Sequence, residues 1–337
     1  MTRTGRPLVI GHRGASGYRP EHTRSAYELA FAQGADAVEP DIVATKDRVL
    51  VLRHENEISG TTDVAQHPEF ASRKATKTID GTTLTGWFTE DFTWDELSTL
   101  RANERLPKVR RDNVQYNGAE PILRLVDLLG IIDEAAASQG RQLRMVAEIK
   151  HATYFESIGL PLDELFAAEI LPWATADNLI VECFEQTVLG KIRGRGVPGK
   201  LVYLVESSGS AADLVAEWGD KALPYSAQIT NSGLARLAKE VDGISVDKAI
   251  ALRTDAAGNA VGVSDIVERA HAAGLTIYVW TLRAENRFLS KNFRRGPKGR
   301  EFGDWKDEFT ILIDGGVDGV FADQPDLALE AIGRFED

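Results

Sequence analysis

The sequence predicts an α/β fold: a closed (β/α)8 barrel with a small inserted subdomain after the second strand region. Three observations carry that expectation. Short apolar runs alternate with amphipathic stretches along the chain, which implies a parallel sheet wrapped in helices. The repeat occurs about eight times, the number that closes a barrel, with an open doubly wound sheet as the alternative. One long polar stretch interrupts the rhythm after the early strands. With 337 residues and 43% hydrophobic content the chain can bury a sizeable core, and a single barrel domain over residues 1–337 accounts for that length.

Taken in order, strand-like runs fall at 8–12, 36–43, 49–53, 143–149, 179–184, 200–205, 243–247, 275–281 and 318–322. Helix-like stretches lie between most of them, at 23–33, 123–138, 162–172, 211–218, 232–239, 264–273 and 326–332. No Gly-x-Gly-x-x-Gly turn follows the first strand, which argues against a dinucleotide site. Residues 56–118 carry few strand or helix signals and many polar residues, and are expected to form the insertion. A second irregular segment, 283–306, holds the basic run Arg294-Arg295-Gly296-Pro297-Lys298-Gly299-Arg300. Unstructured stretches of this length inside a domain are usually functional, so both are placed over the barrel mouth.

Net charge is −12, from 51 acidic and 39 basic residues. That balance disfavours nucleic acid and anionic membrane surfaces, which bind through extended basic surface. No apolar run is long enough to span a membrane. The first strand begins at residue 8, leaving no room for a signal peptide, so a cytoplasmic protein is expected; a periplasmic or secreted one would require the chain to be a mature form. The one cysteine, Cys183, excludes an internal disulfide and reads as a small core residue. Oligomeric state is not legible.

Chemistry concentrates near the start. His12-Arg13, Glu39-Pro40-Asp41 and Arg53-His54-Glu55 each end an apolar run. Residues two apart on a strand share a face, so Glu39 and Asp41 point the same way. Pro40 cannot donate to a sheet ladder, which predicts a strand end or bulge there. Glu148 closes a later strand with Lys150 on the same face. In a closed barrel Glu39, Asp41 and Glu148 converge into a cup for one hard divalent cation, Ca²⁺ or Mg²⁺, with Mn²⁺ also compatible. Taken singly, Glu39 and Asp41 read better as a solvated strand end, and Glu148–Lys150 as a surface pair. His12 and His54 titrate near neutrality and suit general acid–base work. Arg13 suits a bidentate grip on phosphate. His22, His67, His151 and His271 lack a comparable setting.

Gly11-His-Arg-Gly-Ala-Ser-Gly17, Pro20-Glu-His-Thr23, Gly34-Ala-Asp-Ala-Val-Glu-Pro-Asp41, Thr45-Lys-Asp47 and Arg53-His-Glu55 together resemble the glycerophosphodiester phosphodiesterase family. Glu148-Ile-Lys150, Val279-Trp-Thr281 and Asp318-Gly-Val-Phe-Ala-Asp323 follow in the family's order. Thr61-Thr-Asp-Val-Ala65 and Gly86-Trp-Phe-Thr-Glu-Asp-Phe92 resemble its long-insert, periplasmic-like branch. The resemblance implies a barrel enzyme hydrolysing glycerophosphodiesters to sn-glycerol 3-phosphate and an alcohol. It implies Glu39, Asp41 and Glu148 as metal ligands, His12 and His54 as the acid–base pair, and Arg13 and Lys150 at the phosphate. Phe184 and Trp280 would line the glycerol pocket. The family usually has asparagine where this chain has His22, which leaves that amide's hydrogen bond without a counterpart. Competing readings are another barrel phosphodiesterase (phospholipase D-like or phospholipase C-like) and a non-catalytic glycerophosphodiester-binding protein. Water and the substrate's 2-hydroxyl both remain open as nucleophile, and the order of the histidines is reversible.

Overall fold

The computed structural model describes residues 5–333; Met1–Thr4, on which the expectation about a signal peptide rested, lie outside the described residues. Its strands are β1 (Leu8–His12), β2 (Ala37–Glu39), β3 (Asp41–Ala44), β4 (Leu50–Leu52), β5 (Ala75–Ile79), β6 (Thr82–Gly86), β7 (Arg144–Ile149), β8 (Leu179–Cys183), β9 (Lys200–Val205), β10 (Gly243–Asp247), β11 (Leu252–Thr254), β12 (Ala260–Val263), β13 (Thr276–Leu282) and β14 (Gly319–Ala322). Parallel pairing runs β1–β2–β7–β8–β9–β10–β13–β14 and returns to β1, which closes an eight-stranded barrel.

Each barrel strand is buried on both faces, as a sheet covered by helices must be. Ile10, Ala37, Val146, Ile180, Val202, Tyr278 and Phe321 point inward and form one cluster. Their chain neighbours Val9, Val38, Met145, Val181, Leu201, Ile277 and Val320 point outward, under the helices. Helix α1 (Arg24–Ala32) shows how the cover is built. Thr23 caps its N-terminus by accepting from the Ala26 amide, and Ala26, Tyr27, Ala30 and Phe31 form its buried stripe. The β1–α1 turn packs tightly enough that a Cβ on Gly14 would sit 2.6 Å from the Ala26 carbonyl carbon, and Gly14 also needs φ +84°.

Two expectations change. The run at 49–53 is not a barrel strand: β4 pairs antiparallel with β3, Ile42 opposite Leu52. The link between them is only residues 45–49, far shorter than a parallel crossover requires. Pro40 splits one barrel strand into β2 and β3, and its carbonyl accepts from the Glu148 amide at 2.9 Å. Helices at Gln186–Gly194 and Trp305–Asp314 went unpredicted. The first has a glycine in its interior, Gly190, and another at its end, Gly194, and the second follows directly on an irregular basic loop. Both nevertheless bury stripes: Val188, Leu189 and Ile192 in one, Phe309, Leu312 and Ile313 in the other. Between β4 and the helix Leu125–Gln139 that leads to β7, the chain forms the β5–β6 hairpin, short 3-10 helices and the capped helix Trp94–Leu97.

Candidate active site

Two residues beyond the inward cluster members, in the two-residue period of a strand, lies a second inward layer at the C-terminal end of the barrel. His12 stands above Ile10, Glu39 above Ala37, Glu148 above Val146, Glu182 above Ile180 and Trp280 above Tyr278. This layer floors an open cleft of about 1240 Å³. The cleft is bordered by the β5–β6 turn at Asp80–Thr82 and by the segment around Arg287–Ser290, so part of each irregular segment reaches its rim.

The acids on the floor are crowded. Ligand atoms of Glu39, Glu148 and Glu182 lie within 4.8 Å of one another. Asp41 sits opposite Glu148 in the strand register. Glu39 Oε1, Asp41 Oδ1 and Glu182 Oε2 are buried with no hydrogen-bond partner. Burial, then the neighbouring Asp41, pushes the Glu39 carboxyl well above its ordinary range. Burial, only partly offset by Lys150, pushes Glu148 up to about 8. Asp41 goes the other way despite its burial, because its interactions with His54, Lys150 and Arg13 and a hydrogen bond from His22 outweigh that burial. Crowded buried carboxylates with spare oxygens are a donor set for a hard cation.

Two cations stand beside the acids. Lys150 Nζ donates to Glu148 Oε1 at 2.8 Å and lies 3.7 Å from Asp41 Oδ1. Arg13 Nη1 donates to Glu21 Oε2 at 2.9 Å, and its Nε lies 3.2 Å from Asp41 Oδ2. The Arg13 backbone is left-handed, φ 60°, and its amide donates to both the carbonyl and the Oε2 of Glu39. A bulky residue held in that region is a strained placement of the kind found at binding sites.

The two histidines are built alike. His12 Nδ1 is 2.6 Å from Asp323 Oδ1, and His54 Nδ1 hydrogen-bonds Glu55. An ionised carboxylate only accepts, so in each ring Nδ1 carries the proton and Nε2 keeps its lone pair. His54 Nε2 faces Lys150 Nζ at 3.4 Å. Behind each carboxylate stands an arginine from the insertion. Arg105 donates to Glu55 and Glu21, and Arg110 to Asp323 and Glu285. Burial, with Arg13 adding to it, lowers His12 to about 4 and His54 to about 3, so both rings are neutral near pH 7.

One wall is aromatic. The rings of Phe184 and Trp280 meet edge to face, 5.8 Å apart, and Tyr225 continues the wall beyond Phe184. Lys150 Nζ lies 5.7 Å from the Phe184 ring centre.

The sequence-predicted residues His12, Arg13, Glu39, His54, Glu148, Lys150, Phe184 and Trp280 all line this one cleft, and Asp41 lies just beneath it. His54 arrives there from the β4 hairpin rather than from a barrel strand end. Sequence reasoning passed over His22, which is fully buried, lies 3.0 Å from Asp41 Oδ2 through Nε2, and meets the Tyr27 hydroxyl through Nδ1. Glu182 was also passed over, as was Asp323 in its link to His12. The available signal was position: Glu182 is an acid two residues after an inward apolar residue in an otherwise apolar strand.

The model of the glycerophosphoryl diester phosphodiesterase family matches residues 12–327. The chain is 31% identical to glycerophosphodiester phosphodiesterase GDPD6 of Arabidopsis thaliana, over 95% of this chain and 84% of the relative. It is 26% identical to a glycerophosphodiester phosphodiesterase of Treponema pallidum, over 97% and 92%. Among solved structures, a putative glycerophosphoryl diester phosphodiesterase from Silicibacter pomeroyi shares the fold with TM-score 0.67 at 19% identity, covering 99% of this chain and 96% of that one. An Oleispira antarctica phosphodiesterase, solved in complex with the product sn-glycerol-3-phosphate, does so with TM-score 0.62 at 20% identity, covering 97% of each chain.

Proposed function

The chain belongs to the glycerophosphoryl diester phosphodiesterase family, and from that premise we propose that it hydrolyses glycerophosphodiesters to sn-glycerol 3-phosphate and an alcohol. The observation that carries the reading is the pair of neutral imidazoles, each with a bare Nε2, beside a floor of carboxylates in a single cleft. Glu39, Asp41 and Glu148 are the residues we assign to one divalent cation. That ion, Ca²⁺, Mg²⁺ or Mn²⁺, would supply charge neutralisation and Lewis-acid polarisation of the diester. Spare oxygens on Glu39 and Asp41 fit that role.

The protein's own groups do the rest. Arg13 and Lys150 hold the equatorial phosphate oxygens and stabilise charge that grows there. His12, its Nδ1 proton fixed on Asp323, takes a proton at Nε2 from the nucleophile. His54 delivers one to the departing alkoxide. An anionic phosphate beside these rings opposes the lowering by Arg13, which brings a protonated His54 within reach at working pH. Phe184 and Trp280 pack against the glycerol carbons, and the alcohol extends toward the rim at Asp80–Thr82. Among the described residues no helix is long and apolar enough to cross a membrane, and the proposed substrate is a small molecule.

The test is release of sn-glycerol 3-phosphate from glycerophosphocholine by wild type, His12→Ala and His54→Ala. Each variant is expected to lose about 10²- to 10⁴-fold in rate. A His12→Ala enzyme within tenfold of wild type would remove His12 from the mechanism. Activity confined to detergent-dispersed phospholipid would favour a phospholipase-like relative instead.

A further inference from the structure

We propose that Glu182 is a fourth carboxylate ligand of the metal centre and fits it to a large, oxygen-rich ion of the Ca²⁺ type rather than to Mg²⁺. The proposal rests on the metal reading above and extends it to a residue of β8. Glu182 is 2% exposed and lies opposite Glu148 in the β7–β8 register. One of its oxygens falls within 4.8 Å of oxygens of both Glu39 and Glu148, close enough for one ion to touch all three.

A purely structural role does not account for it. The position belongs to the barrel interior, directly above Ile180, where an apolar residue would pack at no electrostatic cost. Among the described residues no cation lies within ion-pair distance of Glu182. The nearby ammonium of Lys150 is taken by Glu148 and Asp41. Oε2 is buried with no hydrogen-bond partner, on a floor where Glu39 Oε1 and Asp41 Oδ1 also accept no hydrogen bond. A buried charge persists only where something answers it.

The count of donors sets the ion. Asp41 already spends Oδ2 on His22, and the four carboxylates still offer more oxygens than Mg²⁺ uses. Mg²⁺ keeps several waters and takes one or two carboxylates, whereas Ca²⁺ accepts six to eight oxygens in flexible geometry.

Isothermal titration of Ca²⁺ and Mg²⁺ into metal-stripped wild type, Glu182→Gln and Glu148→Gln tests this, with thermal melts of each in chelator. The expected result is tighter binding of Ca²⁺ than Mg²⁺ by wild type. Glu182→Gln should weaken Ca²⁺ binding at least as much as losing an outer-sphere partner would, about 10- to 100-fold. In chelator it should melt about 2 °C higher, because a repelling charge is gone. Glu182→Asp keeps the charge on a shorter arm and should fall between the two. Wild-type Ca²⁺ affinity in Glu182→Gln, with binding lost in Glu148→Gln, would overturn the role of Glu182 and leave the metal centre standing. No divalent binding by wild type would overturn both.

Discussion

Where the insertion meets the barrel, four acids are paired with arginines. Glu21 and Glu55 share Arg105, and Asp323 and Glu285 share Arg110, with Arg283 as a second partner for Asp323. On the barrel floor, a short distance away, Glu39, Glu148 and Glu182 crowd together with only Lys150 and Arg13 nearby, and oxygens are left over. The same residue types are balanced in one region and unbalanced in the other. Balance is what a structural network requires, since it holds His12 and His54 through the carboxylates behind them. Imbalance is costly to the fold and is retained where a ligand completes it.

Variants that remove one charge from each region should therefore move stability in opposite directions. The largest effect is expected for Arg110→Met, which strands buried Glu285 and leaves Asp323 with Arg283 as its one arginine partner. Breaking such a pair costs about 3–5 kcal/mol, read as a lowered denaturation midpoint. Glu148→Gln is the counterpart. In chelator it should unfold at higher denaturant than wild type, while losing at least about 100-fold in activity with metal present. If both variants destabilise alike, the contrast between the regions is wrong.

The pH dependence should separate them as well. Glu96 in the insertion is held down to about 2, first by its hydrogen bond to Arg73 and then by the Thr93 amide. Its folded value lies below the unfolded one, so its contribution is present above about pH 4.5 and is lost as pH falls toward 2. Glu148 has the reverse sign. Its folded value is raised to about 8, so metal-free wild type should lose stability as pH rises from about 4.5 toward 8. Unfolding curves in chelator across that range should show the loss in wild type and a smaller one in Glu148→Gln, because Glu39 and Glu182 are raised as well. The smallest effect concerns the aromatic wall. Phe184→Ala removes its edge-to-face contact with Trp280, worth about 0.5–1.5 kcal/mol, and should raise KM several-fold with little change in kcat.

Much of this was legible in the residues. Strands buried on both faces leave apolar runs, so the barrel showed in its strands, and clusters such as His12-Arg13 and Glu148-Ile-Lys150 marked where those strands end. The β4 hairpin misled because an apolar run carries no record of its partner's direction; only the five-residue link at 45–49 held that information. Helix Gln186–Gly194 was obscured by glycines that tertiary packing overrides. Glu182 was hidden because a single acid in an apolar strand looks like noise until the strand's inward face is known. His22 and Asp323 were missed for a different reason: their partners, Asp41 and His12, lie 19 and 311 residues away, and only the closed barrel brings them together.

The unbalanced floor is proposed to be a metal site serving diester hydrolysis. That claim is tested most directly by sn-glycerol 3-phosphate release from glycerophosphocholine, measured before chelation, after it, and after adding back Ca²⁺, Mg²⁺ and Mn²⁺ separately. The expected result is release that stops on chelation and returns with an added ion, Ca²⁺ most effectively. Release that continues undiminished in protein stripped of divalent ions would contradict the claim.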